Sequence, residues 1–231
     1  MTAERITEKE PKQKVPLVVL VNDGTLLPCI WEYTQTADAN SYISLILTGK
    51  KDPFAFKFAT DKHIPARRFA QKSSEGETRE EFSLRVGKFI KEWLDKVGSE
   101  KYLVISAGWK KVMTGGFFGF FKPDQIINTH PGLLADNPGN DFVTLSSGET
   151  VPSSRNTFDP GPMQRALIEG HKWTGATVQY LVEETDAGPV IIRGEVPIDK
   201  TDTLETLSAK VYSLESKIVP MGIDNALKRL A

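Results

Sequence analysis

Short apolar runs alternate with amphipathic or loop-like segments along this chain, and that alternation limits its fold more than any other feature. "PLVVLV" at 16–21 is apolar throughout, as in a parallel strand buried on both faces, and "NDGT" then breaks it and offers a helix start at Thr25. "YISLILT" at 42–48 reads as a second strand, 49–63 as a loop with a short helix, and "IPARRFA" at 64–70 as a weaker strand. Over 78–97, Phe82, Val86, Phe89, Ile90, Trp93 and Leu94 fall at helical spacing behind an acidic first turn. "KYLVISAGW" at 101–109 and "QIINTH" at 125–130 are further strands. Strand and crossover repeated in this way predict an α/β fold, a Rossmann-like, mostly parallel central sheet flanked by helices.

The second half is organised differently. Residues 162–170 read as a helix stopped by Gly170, 173–198 as two strands joined by "ETDAGP", and 203–230 as a long C-terminal amphipathic helix that Pro220 interrupts or kinks. This C-terminal part is therefore expected to be mixed. Between the halves, 135–161 is rich in Gly, Pro, Ser, Asn and Asp without periodicity, and predicts an insertion loop: a lid, a binding loop or a disordered segment. The charged stretch "MTAERITEKEPKQK" at 1–14 predicts a flexible leader rather than a signal peptide or membrane anchor, and 15–231 a single domain.

Composition narrows the function. With 29 basic against 30 acidic side chains, there is no electrostatic case for nucleic acid or a membrane surface as partner. No stretch approaches the roughly 20 apolar residues of a membrane helix. The single cysteine, Cys29, excludes an internal disulfide and a multi-cysteine zinc site, and reads as a buried thiol in a reducing cytosol. No spacing implies a metal. The expectation is a cytoplasmic protein with a small-molecule site and no assigned oligomeric state.

Three polar residues stand out against apolar surroundings. In an extended strand, Asn128 and His130 project from the same face, at the end of "QIINTH", and α/β sheets gather ligands outside the carboxyl ends of their strands. Asp186 lies in the "ETDAGPV" turn. An amide can donate to a developing oxyanion, an imidazole can move a proton near neutral pH, and a carboxylate can orient water or hold a charged imidazole. Together they suit acyl transfer to an amine through a tetrahedral intermediate. A structural strand-end histidine and a turn aspartate are the alternative reading of the same residues.

"INTHPGLL" at 127–134 followed by "GATVQYLVEETDAGPVI" at 175–191 resembles the folate-dependent formyltransferases, most closely the glycinamide ribonucleotide branch. "VVLVNDGTLLPCI", "TGKKDPFAFKFA", "VISAGW" and "VPIDKTDTLETLSAKVYSLE" match in order, so the resemblance spans nearly the whole chain. It implies transfer of a formyl group from the co-substrate 10-formyltetrahydrofolate to the primary amine of glycinamide ribonucleotide, in purine biosynthesis. Asn128, His130 and Asp186 would be catalytic. The folate would lie against Gly108, Trp109 and Val112 and against the backbone at Thr185 and Ala187. Gly24, Thr25, Lys111 and Glu215 would bind the phosphorylated acceptor.

The chain departs from this family in two places. Its first loop, "NDGTLL", is one residue shorter, has Leu26 where Asn is usual, and places Asp23 beside the expected phosphate position. Lys110, Lys111 and the lysines Lys50 and Lys51 of "GKKD" are the alternative phosphate partners. The segment between His130 and Asp186 is also about 20 residues longer than the family's and includes Arg155. His63 and His171 read as surface residues. A formyltransferase for another amine such as an amino sugar nucleotide, a formyltetrahydrofolate hydrolase and a non-catalytic folate-binding module remain as alternatives. Methionyl-tRNA and hydrolase relatives carry an additional domain, which the expected leader and the end at Ala231 do not supply.

Overall fold

The computed structural model describes residues 14–51 and 53–230. Seven strands form one sheet: β1 (Val15–Val21), β2 (Ser41–Thr48), β3 (Ala66–Arg68), β4 (Leu103–Ala107), β5 (Ile126–His130), β8 (Trp173–Tyr180) and β9 (Val190–Pro197), in the spatial order β3-β2-β1-β4-β5-β8-β9. The first five run parallel, and β8 and β9 are antiparallel to their neighbours. The expected mixed C-terminal part is therefore present.

Both faces of the central strand β1 are covered, which is why it is apolar at every position. Its seven residues are all buried. Leu17, Val19 and Val21 pack toward one core, with the helices α1 (Leu27–Thr34), α2 (Pro53–Asp61) and α6 (Leu204–Arg229). Val18 and Leu20 pack toward the other, under α3 (Arg79–Val97) and the short α4 (Gly115–Phe118). Helix α3 starts on a capping box in which Thr78 and Glu81 exchange hydrogen bonds, and it stops at Gly98 in the left-handed conformation.

Three expectations are corrected. Helix α1 begins at Leu27, not Thr25, because the Thr25 hydroxyl and N–H turn back to the Asp23 carboxylate instead of opening the helix. Segment 135–161 is not structureless: β6 (Phe142–Thr144) and β7 (Thr150–Pro152) form a two-stranded antiparallel sheet over a small core of Leu133, Ala135, Val143, Leu145 and Val151. Helix α6 continues through Pro220, so the proline does not interrupt it. An internal proline costs about 3 kcal/mol, but Ile218, Val219 and Ile223 are buried around it, each worth about 1.5–3 kcal/mol. Packing wins. Helix α5 (Pro162–Ile168) ends ahead of Gly170 as expected. The leader expected at 1–14 lies, apart from Lys14, outside the described residues.

Candidate active site

The chain leaves β1 toward β2 and β3, then crosses back to β4 and β5, so the order reverses between β1 and β4. Loops leaving such neighbours diverge and open a crevice at the carboxyl ends of the strands. A cleft of about 750 Å³ lies there. The β1 end contributes Asp23, Thr25 and Leu26, the β4 end Gly108 to Met113, and β5 Asn128, Thr129 and His130. The β8–β9 connection adds Thr185 and Asp186, and α6 adds Leu204, Ser208 and Glu215.

The three candidate catalytic residues converge in this cleft. His130 Nδ1 lies 3.3 Å from Asp186 Oδ1, with both side chains buried. Asp186 Oδ2 accepts the Asn156 N–H at 3.1 Å. Burial alone pushes the Asp186 carboxyl up, but the His130 hydrogen bond and charge, the Asn156 N–H and the Arg155 guanidinium outweigh it and hold the group below the usual carboxylate range. Asp186 itself has φ 55°, the left-handed region that Asp tolerates better than most residues. Asn128 is half-buried, and among the described residues its side-chain amide has no protein partner. That amide is free to donate into the cleft.

Most of the other predicted residues line the same cavity. Thr25, Lys111, Glu215, Gly108, Trp109, Val112 and Thr185 do, and so does Lys110. Gly24, Ala187, Lys50 and Lys51 do not: Gly24, at φ 76°, packs toward Ala55 and Leu27 beneath the loop. Trp109 is mostly a core residue, stacked over Phe82 at a centroid distance of 6.4 Å and only 9% exposed. Sequence reasoning missed the apolar wall of Val104, Met113, Phe117 and Leu181. It also missed Ser154, whose hydroxyl lies 3.1 Å from His130 Nε2.

The far end of the cleft is acidic. Asp23 Oδ1 accepts the Thr25 hydroxyl at 3.0 Å and the Thr25 N–H at 3.3 Å, and the Tyr212 hydroxyl donates to the Thr25 carbonyl. Burial, with the Asp23 charge added, pushes the Glu215 carboxyl up to about 7. Cys29 is half-buried rather than buried, and burial pushes its thiol up to about 11, which removes it as a nucleophile near neutral pH. His63 is exposed, and His171 is half-buried beside Glu169 at 3.0 Å. Among the described residues no cluster of His, Cys, Asp or Glu could hold a metal ion, and no helix is long and apolar enough to cross a membrane.

The family model described as "Formyl transferase" matches residues 160–223. Phosphoribosylglycinamide formyltransferase of Bacillus subtilis (strain 168) is 30% identical over 185 residues, covering 80% of each chain. The chain belongs to the formyl transferase family. A second relative, phosphoribosylglycinamide formyltransferase of Dictyostelium discoideum, is 27% identical over 209 residues, covering 87% of this chain and 91% of its own. Among solved structures, glycinamide ribonucleotide transformylase 1 from Symbiobacterium toebii superposes with a TM-score of 0.72 at 22% identity, covering 92% of this chain and 87% of that one. That likeness concerns the fold.

The Glu215 carboxyl is expected to make the stability of this formyl transferase depend on pH. Its pKa of about 7 when folded lies above the ordinary 4.5, so between these values the folded chain keeps a proton that the unfolded chain has released. Stability therefore falls as pH rises from about 4.5 to about 7 and levels off above. Glu215→Gln, which mimics the protonated form, is expected to gain up to about 3 kcal/mol at pH 8 and less than about 0.5 kcal/mol at pH 4.5. Thermal melts at the two pH values test this, and an equal effect at both would show that Glu215 does not titrate this way.

Proposed function

We propose that this chain moves the formyl group of 10-formyltetrahydrofolate to the primary amine of glycinamide ribonucleotide, a cytoplasmic step of purine biosynthesis. The observation that carries the reading is the convergence of Asn128, His130 and Asp186 in one cleft, with His130 Nδ1 3.3 Å from the Asp186 carboxylate. In this reading the folate lies along Val112 and the apolar wall of Met113, Phe117 and Leu181, and its formyl carbon faces β5. The acceptor extends from there toward Thr25, Lys111 and Glu215.

Attack by the amine nitrogen on the formyl carbon gives a tetrahedral intermediate with a negative oxygen. The free Asn128 amide donates to that oxygen, a contact worth more in a dry cleft than in water. The amine must lose a proton and the departing folate nitrogen must gain one. His130 handles that exchange, and Asp186 holds the imidazole and stabilises its charged form. Lys111 offers a positive charge to an acceptor phosphate, and Glu215 offers its carboxyl to hydroxyl groups.

The test follows conversion of 10-formyltetrahydrofolate to tetrahydrofolate by absorbance, with and without glycinamide ribonucleotide, and weighs the product. Turnover that requires the acceptor and adds one formyl group supports the proposal. Turnover without acceptor favours the hydrolase instead. One observation favours a different acceptor: Asp23 already occupies the Thr25 N–H and hydroxyl that would meet a phosphate. Consumption of the donor only with another amine, such as an amino sugar nucleotide, would establish that second reading.

A further inference from the structure

His130 has a partner at each ring nitrogen. Nδ1 faces Asp186 Oδ1 at 3.3 Å, and Nε2 faces Ser154 Oγ at 3.1 Å. An ionised carboxylate only accepts, so it attracts Nδ1 only while that nitrogen carries a proton. Nδ1 therefore keeps its proton whether the ring is neutral or charged, and the proton that comes and goes is the one at Nε2. Whatever stands opposite Nε2 must accept from an N–H in one state and donate to a bare nitrogen in the other. A hydroxyl does both by rotating about one bond.

Ser154 is built for the two positions. Its hydroxyl has a second acceptor, the Leu133 carbonyl at 2.9 Å, and its backbone N–H bonds the same carbonyl at 2.8 Å, which fixes the residue in place. Gly132 makes the room: a Cβ there would lie 2.1 Å from Ser154 Oγ and 3.1 Å from His130 Nε2. The hydroxyl thus fills space that a side chain at position 132 would otherwise occupy. The same stretch of chain supplies the Asn156 N–H to Asp186, so the long insertion braces both members of the pair.

We propose that Ser154 is a positioning residue for His130, holding the ring against Asp186 while a proton arrives at or leaves Nε2. The Ser154 hydrogen swings to the Leu133 carbonyl, which frees the Nε2 lone pair to take the proton that the attacking amine gives up, and Oγ then accepts from the new N–H. When that proton passes to the departing folate nitrogen, the hydroxyl turns back and donates to the bare ring nitrogen. This rests on His130 being the proton-exchanging group of formyl transfer.

Ser154→Ala is expected to lower kcat about tenfold with little change in KM for either substrate, as for one lost hydrogen bond. With the ring neutral, it is also expected to move the ¹⁵N resonance of His130 Nε2 toward that of a nitrogen without a hydrogen bond. The chain has only three histidines, so that resonance can be assigned. Ser154→Thr keeps the hydroxyl, and the double variant Gly132→Ser with Ser154→Gly delivers one from the other side of the same space. Both are expected to restore kcat and the resonance, and they carry the test if Ser154→Ala does not fold. Wild-type kcat and an unmoved resonance in Ser154→Ala, or failure of both hydroxyl-bearing variants to restore either, overturns the proposal. If the wild-type chain transfers no formyl group, the resonance alone decides: a shift in Ser154→Ala supports the contact, and no shift overturns it.

Discussion

Replacing Asn128 with alanine is expected to cut kcat by about 10²- to 10³-fold while leaving KM for both substrates nearly unchanged. The reason lies in what the side chain does without substrate. Its amide has no protein partner among the described residues, and it is only half-buried, so its removal leaves no orphaned group and little cavity. The melting temperature should stay near that of the wild-type chain. An interaction made only with the intermediate's oxygen lowers kcat and kcat/KM equally when lost. His130→Ala is expected to cost about 10²- to 10⁴-fold, and the two losses should not add, because both act on one step. Steady-state kinetics on the single and double variants read this directly. Unchanged kcat in both single variants would remove catalysis from these residues and leave a binding module.

Asn128 and His130 were legible because both sit on one strand, where alternate residues share a face. Asp186 was legible as a polar residue in a turn but not as a neighbour of His130. Strand pairing sets Tyr180 opposite Ile127, at the far end of β5 from His130, and the Leu181–Pro189 connection has to double back to deliver the carboxylate. Nothing in residue spacing encodes that return. The parallel core was readable because β1 and β4 are buried at every position and so are apolar without alternation, Ser106 alone excepted. Strands β6 and β7 were not, since each is three residues long and buries only its middle one, too short to display a period. The Ser154 and Asn156 contacts were invisible for another reason: they run through a hydroxyl and a backbone N–H, groups that carry no pattern of their own.

The doubled-back connection makes Gly188 the position where a single methyl group should do the most damage. A Cβ there would sit 1.7 Å from the Tyr180 carbonyl oxygen and 2.7 Å from its carbon, at the neck where Tyr180 N–H also bonds the Pro189 carbonyl. Both neighbours are backbone, so no side chain can turn aside, and the two strands of the neck must separate. Overpacking of this kind costs about 3 kcal/mol or more, which for a chain of this size lowers the melting temperature by about 6–12 °C. Asp186 lies two residues away, and a displacement of about 1 Å in a catalytic group can cost about 10²-fold in rate. Gly188→Ala is therefore expected to lose stability and activity together, whereas Asn128→Ala loses activity alone. Gly139→Ala is the control, because a Cβ there would meet only the Asn137 side-chain oxygen, at an ordinary 3.4 Å. Melting curves of the three variants, with kinetics well below each transition, separate the cases. A Gly188→Ala chain that melts with the wild type would mean the neck yields freely, and the position of Asp186 beside His130 would then need another support.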